Sequence, residues 1–214
     1  MSVAVNPSTS GSRAERTERR IVDAAAELFV TRGYRGTTLS DVAKAAGVSD
    51  RTVYVRFDSK ADLLKRVVDV AVVGDTQAID LAHRDWVLTA MNAATLQERV
   101  AADASGTAEL MARIAPVLAV ALQVEADEPL IAAASQAARE ATYAQVRAFW
   151  TKLRADGLMD PGSDLEWVIT TSALLANAET YLHMTRTIRW TPADYELWRR
   201  RTWLHLATTA GPTT

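Results

Sequence analysis

The sequence predicts an all-α protein of about nine helices. Alternation of β-branched with polar residues is missing, alanine is abundant throughout, and apolar residues recur at three- and four-residue spacing from Arg13 onward. At 214 residues, 49% hydrophobic and 23% charged, the chain can bury a large core and lies far from the composition of disorder. Cysteine is absent, which excludes disulfides, thiolate metal sites, thiol nucleophiles and iron-sulfur clusters together. No apolar run approaching the roughly 18 positions of a membrane helix is expected, and hence no membrane partner.

Residues 1–12 are small and polar without a basic start, so they read as a flexible tail lacking an export signal, and a cytoplasmic protein is expected. A first domain is expected over 13–59 and a second over 60–214. The two differ in sign: residues 1–66 hold 12 Lys and Arg against 8 Asp and Glu, and the remainder 12 against 18. An anionic partner would prefer the front end.

In the first helix Ile21, Ala25, Leu28 and Phe29 share a face, and Gly33 supplies a left-handed stop. Further breaks fall at Gly36-Thr37, Gly47-Val48, Phe57-Asp58, His83 to Trp86, Pro116, Asp127 to Pro129, Gly157 to Ser163 and Arg189 to Pro192. Pro116 is expected to kink or split its helix.

Thr38 to Asp41 has the form of a capping box opening a short helix, with Leu39, Val42, Ala43 and Ala46 on its apolar face and Gly47 at its end. Ser49 caps a second short helix, Asp50 to Phe57, whose Val53 and Phe57 face inward. Two short helices joined by a glycine turn make a helix-turn-helix, and its second helix fits a major groove about 12 Å wide. The outward residues are Asp50, Arg51, Thr52, Tyr54, Val55 and Arg56. They offer a guanidinium and a hydroxyl for base edges, a methyl-bearing side chain for thymine, and a Tyr and Arg for phosphate. Asp50 departs from a basic surface; it either accepts from cytosine or supports the helix N-terminus. Lys60 follows at the start of the next helix, which Ser59 and Asp62 open.

The stretch from Ile21 to Leu64 resembles the DNA-binding domain of TetR-family transcriptional repressors. The resemblance rests on Ala25, Phe29, Gly33-Tyr34, Thr37-Thr38, Val42-Ala43, Ala46-Gly47-Val48 and the run Thr52-x-Tyr54-x-x-Phe57-x-Ser59-Lys60. It implies that Arg51, Thr52 and Val55 face bases, while Thr38, Ser49, Tyr54, Arg56 and Lys60 hold phosphates. It also implies that the residues beyond about 65 form a helical ligand-binding and dimerisation domain.

In that second domain an apolar stripe marks one helix from about Asp164 to Thr185, and Thr191, Pro192 and Asp194 open a last one. The expected homodimer interface comprises Leu165, Val168, Ile169, Ser172, Ala176, Leu182 and Trp198 on these two helices. Dimerisation also suits a small reading helix, because two held 34 to 36 Å apart read a palindrome together. All six tryptophans lie beyond residue 80. The expected lining of a small-molecule effector pocket is Met111, Gln123, Tyr143, Trp150, Trp167 and Asn177.

The sequence therefore predicts a homodimeric regulator bound to a double-stranded DNA operator and released by a small molecule. His83, His183 and His205 are widely spaced, and neither a Gly-rich phosphate loop nor a nucleophile elbow occurs, so no catalytic residue, metal or cofactor is expected. The alternative is a small-molecule-sensing helical interaction protein without DNA binding, or less favourably an enzyme.

Overall fold

The computed structural model describes residues 13–74 and 83–209; the tail expected over 1–12 lies outside the described residues. These form ten helices and no strand: α1 Arg13–Arg32, α2 Leu39–Ala46, α3 Asp50–Tyr54, α4 Lys60–Val73, α5 Asp85–Asn92, α6 Leu96–Val124, α7 Pro129–Ala155, α8 Leu165–Ala176, α9 Ala178–Arg186 and α10 Pro192–Thr208. By packing the chain divides into Met1–Val67 and Val68–Thr214, so the division falls inside α4 and later than its start at residue 60.

The all-α expectation holds, and three local differences account for the helix count. First, α6 runs unbroken through Pro116. Pro116 and Ala112 are both exposed, so the Ala112 carbonyl, freed by the missing proline N–H, meets solvent. Second, a break before Leu96 went unpredicted although its capping box is legible: Thr95 Oγ1 accepts from Glu98 N at 3.2 Å, and Thr95 N donates to Glu98 Oε2 at 3.1 Å. Third, the single helix expected over 164–185 breaks at Asn177, whose backbone is extended (φ −66°, ψ 150°). Thr180 Oγ1 donates to the Leu174 carbonyl there and satisfies one of the carbonyls that α8 leaves open.

In the first unit, Ile21, Val22, Ala25, Leu28 and Phe29 of α1 are buried together with Val42, Ala43 and Ala46 of α2, and Val53, Phe57, Leu63 and Leu64. The loop after α1 is fastened from inside: buried Thr37 donates its hydroxyl to the Gly33 carbonyl at 2.9 Å and to that of Leu28 at 3.2 Å. Tyr34 stacks on Phe29 with ring centres 5.8 Å apart.

In the second unit, α6 packs between α5 and α10. It is long and apolar enough to cross a membrane, contrary to the expectation from sequence, but more than half of its most apolar stretch is buried within the fold, as in a core helix. One cluster gathers Val100, Phe149, Trp150, Leu153, Val168, Ile169 and Trp203. A second gathers Ala108, Ala115, Tyr181, Met184 and Tyr195, with Met111, Trp190 and Trp198 against it. The C-terminal carbonyls of α4 are closed from this unit: Arg113 of α6 donates to Ala71 O at 2.9 Å and Val72 O at 3.2 Å, and Arg84 donates to Val73 O.

Candidate nucleic-acid interface

The site is built by helix ends. Thr38 caps α2 with both hydrogen bonds of the capping box: Asp41 N donates to Thr38 Oγ1 at 3.1 Å, and Thr38 N donates to Asp41 Oδ2 at 3.0 Å. Gly47 ends α2 in the left-handed region, at φ 63°. A side chain there would also meet Arg20, whose guanidinium nitrogen would lie 2.8 Å from an added Cβ. Arg20 reaches across from α1 to donate to the carbonyls of Ala46 and Gly47, a cation on the open C-terminus of α2. Ser49 then caps α3, accepting from Thr52 N at 3.2 Å while its hydroxyl pairs with that of Thr52 at 2.8 Å.

The helix expected over Asp50 to Phe57 is regular only to Tyr54. Val55 and Arg56 continue it as a turn, with Phe57 N donating to Val53 O at 3.0 Å. Buried Val53 and Phe57 anchor this rod, and four of its residues face solvent: Val55 is 75% exposed and Tyr54 60%, and Asp50 and Arg51 are exposed too. The Arg51 guanidinium makes no hydrogen bond or ion pair among the described residues. Thr52 is half-buried, while Thr38 and Ser49 are exposed beside the caps they make. An Arg, a methyl-bearing Val and a phenol, displayed on a narrow rod with hydroxyls at its base, are the chemistry that base edges and phosphates take up.

Two cations expected to hold phosphate are engaged inside the unit. Lys60 donates its ammonium to the carbonyls of Tyr34 at 2.9 Å and Thr37 at 3.1 Å. Arg56 is half-buried with Glu18 of α1 3.6 Å away, and Glu18 also accepts from Arg66 at 2.9 Å. Sequence reasoning missed Arg20, Glu18 and Ser40, the last of which donates to Asp50 Oδ2 at 2.9 Å. Arg20 and Glu18 act on residues more than 25 positions away, where periodicity carries no signal.

The residues expected to line an effector pocket do not converge. Trp150 is fully buried with its indole N–H on Ser172 Oγ at 2.7 Å, and Met111 packs against the other cluster. Gln123, Tyr143 and Trp167 are exposed, and Asn177 sits half-buried at the α8–α9 break. Four residues of the expected dimer face are core residues instead. Val168, Ile169, Ser172 and Ala176 are buried inside the protomer, and Leu165, Leu182 and Trp198 pack against its cores. Periodicity found a buried face and misassigned what covers it. The large apolar side chains that these helices expose are Trp167 and Leu174 on α8 and Leu197 on α10.

Residues 21–67 match the family of bacterial regulatory proteins of the tetR family. These residues thus carry a DNA-binding unit of the tetR-family kind. Its N-terminal part is 43% identical over 60 residues to the transcriptional repressor KstR2 of Rhodococcus jostii, covering 28% of each chain. The match thus spans less than a third of that relative's length. Over nearly the whole chain the likeness is one of fold. A TetR-family regulator from Mesorhizobium loti superposes with a TM-score of 0.69 at 19% identity, covering 92% of this chain and 97% of that one. A regulator from Saccharomonospora viridis, solved in complex with choline, superposes with a TM-score of 0.68 at 19% identity, covering 89% and 97%.

Proposed function

We propose that this chain is a TetR-family regulator, a cytoplasmic protein that represses from a palindromic DNA operator as a homodimer and is released by a small-molecule effector. The observation that carries the reading is the outward rod of α3 and its turn, capped by Ser49 and braced through Arg20, with Arg51, Tyr54 and Val55 presented to solvent. Arg51, Thr52 and Val55 meet base edges; Thr38, Ser49 and Tyr54 meet phosphates, and Arg56 joins them by leaving Glu18. Lys60 contributes chiefly by holding the loop before α2.

A five-residue helix gives one short reading surface, and two copies on a two-fold axis give a palindrome and the affinity one head lacks. The outward apolar residues of α8 and α10, with Trp167 50% exposed and Leu174 65%, supply a face for the second copy. The effector is taken up by the helical body and acts by favouring one arrangement of it, shifting α4, which belongs to both units. The choline bound by the Saccharomonospora viridis regulator is a precedent for an effector within this fold.

Selection of bound duplexes from a random DNA pool tests the reading. A palindromic consensus is expected, and an Arg51→Ala, Arg56→Ala variant should bind it more weakly and with a shallower salt dependence. Absence of any selected sequence would leave the sensor without DNA binding as the better account.

A further inference from the structure

Asp50 is an acid on a surface otherwise made for DNA, and the structure shows that it does not supply the side-chain cap of its helix. The cap of α3 is already filled, since Ser49 Oγ accepts from Thr52 N. Asp50 instead directs Oδ2 at Ser40 of α2, whose hydroxyl donates to it at 2.9 Å, and both residues are exposed. The carboxylate is therefore held in one orientation at the start of the reading rod, with Oδ1 unoccupied by that bond.

We infer that Asp50, oriented by Ser40, selects cytosine at one position of each operator half-site. The inference rests on the N-terminal unit being a DNA-reading head. A carboxylate placed against duplex DNA is repelled by phosphates and by the N7 and O6 acceptors of guanine, so it needs a donor on a base edge. The major groove offers two, the amino groups of cytosine and adenine. Adenine sets its N7 acceptor beside its amino group and so repels a carboxylate, whereas cytosine presents the donor alone. Ser40 acts as a positioning residue: it fixes the second oxygen and thereby the direction of the first. The same acid disfavours guanine and thymine at that position, so it contributes by rejection as well as by attraction.

The test is operator selection with the full chain, its Asp50→Asn variant and its Ser40→Ala variant. The wild-type consensus is expected to hold cytosine at one position per half-site, preferred about tenfold. Asparagine pairs with both N6 and N7 of adenine, so Asp50→Asn should change that base to adenine and leave the other positions as they were. Ser40→Ala should keep cytosine but relax the preference severalfold at that position alone. If Asp50→Asn fails to fold by circular dichroism, the Ser40→Ala profile decides. Cytosine retained in Asp50→Asn, or preferred as strongly in Ser40→Ala as in the wild type, overturns the inference while sparing the DNA-reading head. A wild-type chain that selects no DNA overturns both.

Discussion

The Lys60 ammonium donates to the Tyr34 carbonyl oxygen at 2.9 Å and lies 4.2 Å from the centre of the Tyr34 ring. With the Thr37 carbonyl also accepting at 3.1 Å, the cation closes the loop between α1 and α2 from the first residue of α4. A phosphate would have to compete with partners already in place. Lys60→Met is therefore expected to destabilise the first unit by about 2 kcal/mol, from the lost charged hydrogen bonds and the ring contact. The slope of operator affinity against salt should change by much less than the roughly 0.9 that one phosphate contact contributes. Urea unfolding and binding across a salt series check the two halves. A slope reduced by a full contact would return Lys60 to the phosphate-holding set.

Trp86 and Gly106 define how α5 meets α6. A Cβ at Gly106 would collide with the ring carbons of the Trp86 indole, so the helix carries glycine where the indole presses on its backbone. Glycine to alanine inside a helix ordinarily stabilises by about 1 kcal/mol. Here overpacking outweighs propensity, and Gly106→Ala should destabilise by about 1–3 kcal/mol. Combining it with Trp86→Leu should cost less than the sum of the two single changes, because the smaller side chain makes room for the methyl. A stabilised Gly106→Ala variant in urea melts would contradict the close packing.

Arg199 of α10 and Asp103 of α6 form a buried pair, 2.8 Å from Nε to Oδ2, with side chains 4% and 14% exposed. The guanidinium also lies 4.2 Å from the centre of the Trp203 ring. Burial opposes its charge, but the Asp103 carboxylate and Tyr195 outweigh burial and raise its pKa above the ordinary value. Asp103→Ala leaves that charge without its partner and should cost about 3–5 kcal/mol. An Asp103→Leu, Arg199→Met double replacement should be far milder, since it removes both desolvation costs at once. A double-mutant cycle by chemical denaturation reads the difference; equal losses for the single and double variants would show that the pair adds only local packing.

What was legible in the sequence was local. Thr38 with Asp41, Ser49 before Asp50, and Gly47 at the turn announce themselves within four residues, and the structure has each in its expected place. Arg20 on the carbonyls of Ala46 and Gly47, and Lys60 on those of Tyr34 and Thr37, depend on how helices cross, which spacing along the chain does not encode. In the second unit the apolar stripe through Val168, Ile169, Ser172 and Ala176 is real, but a stripe states only that a face is covered. The protomer's own α7 and α10 cover it, so these four residues belong to its core, on a helix that ends at Ala176 where the stripe had suggested one running on to Thr185. The expected pocket residues differ among themselves for a related reason: aromatic type alone does not separate Trp150, which is core, from Trp167, which is surface.

Asp41 and Asp194 occupy the third positions of α2 and α10 and accept hydrogen bonds from their capping threonines, Thr38 and Thr191. The side-chain hydroxyl first, and the backbone N–H second, hold both carboxyls below their ordinary pKa. In the unfolded chain these groups titrate near about pH 4, so below that the unfolded state takes up protons before the folded one. The stability the two carboxylates contribute is therefore complete above about pH 4 and is lost as pH falls through their lower folded values. Asp41→Asn and Asp194→Asn should each lower the urea midpoint at pH 7, and the deficit relative to the native chain should shrink by pH 3. Subtracting each variant from the native chain removes the acid response of Asp156, Glu125 and Glu166, whose carboxyls are likewise lowered, by hydrogen bonds from Lys152, Arg139 and Arg147 respectively. A deficit undiminished at pH 3 would mean that the caps act through shape alone and that the charge on these aspartates contributes nothing.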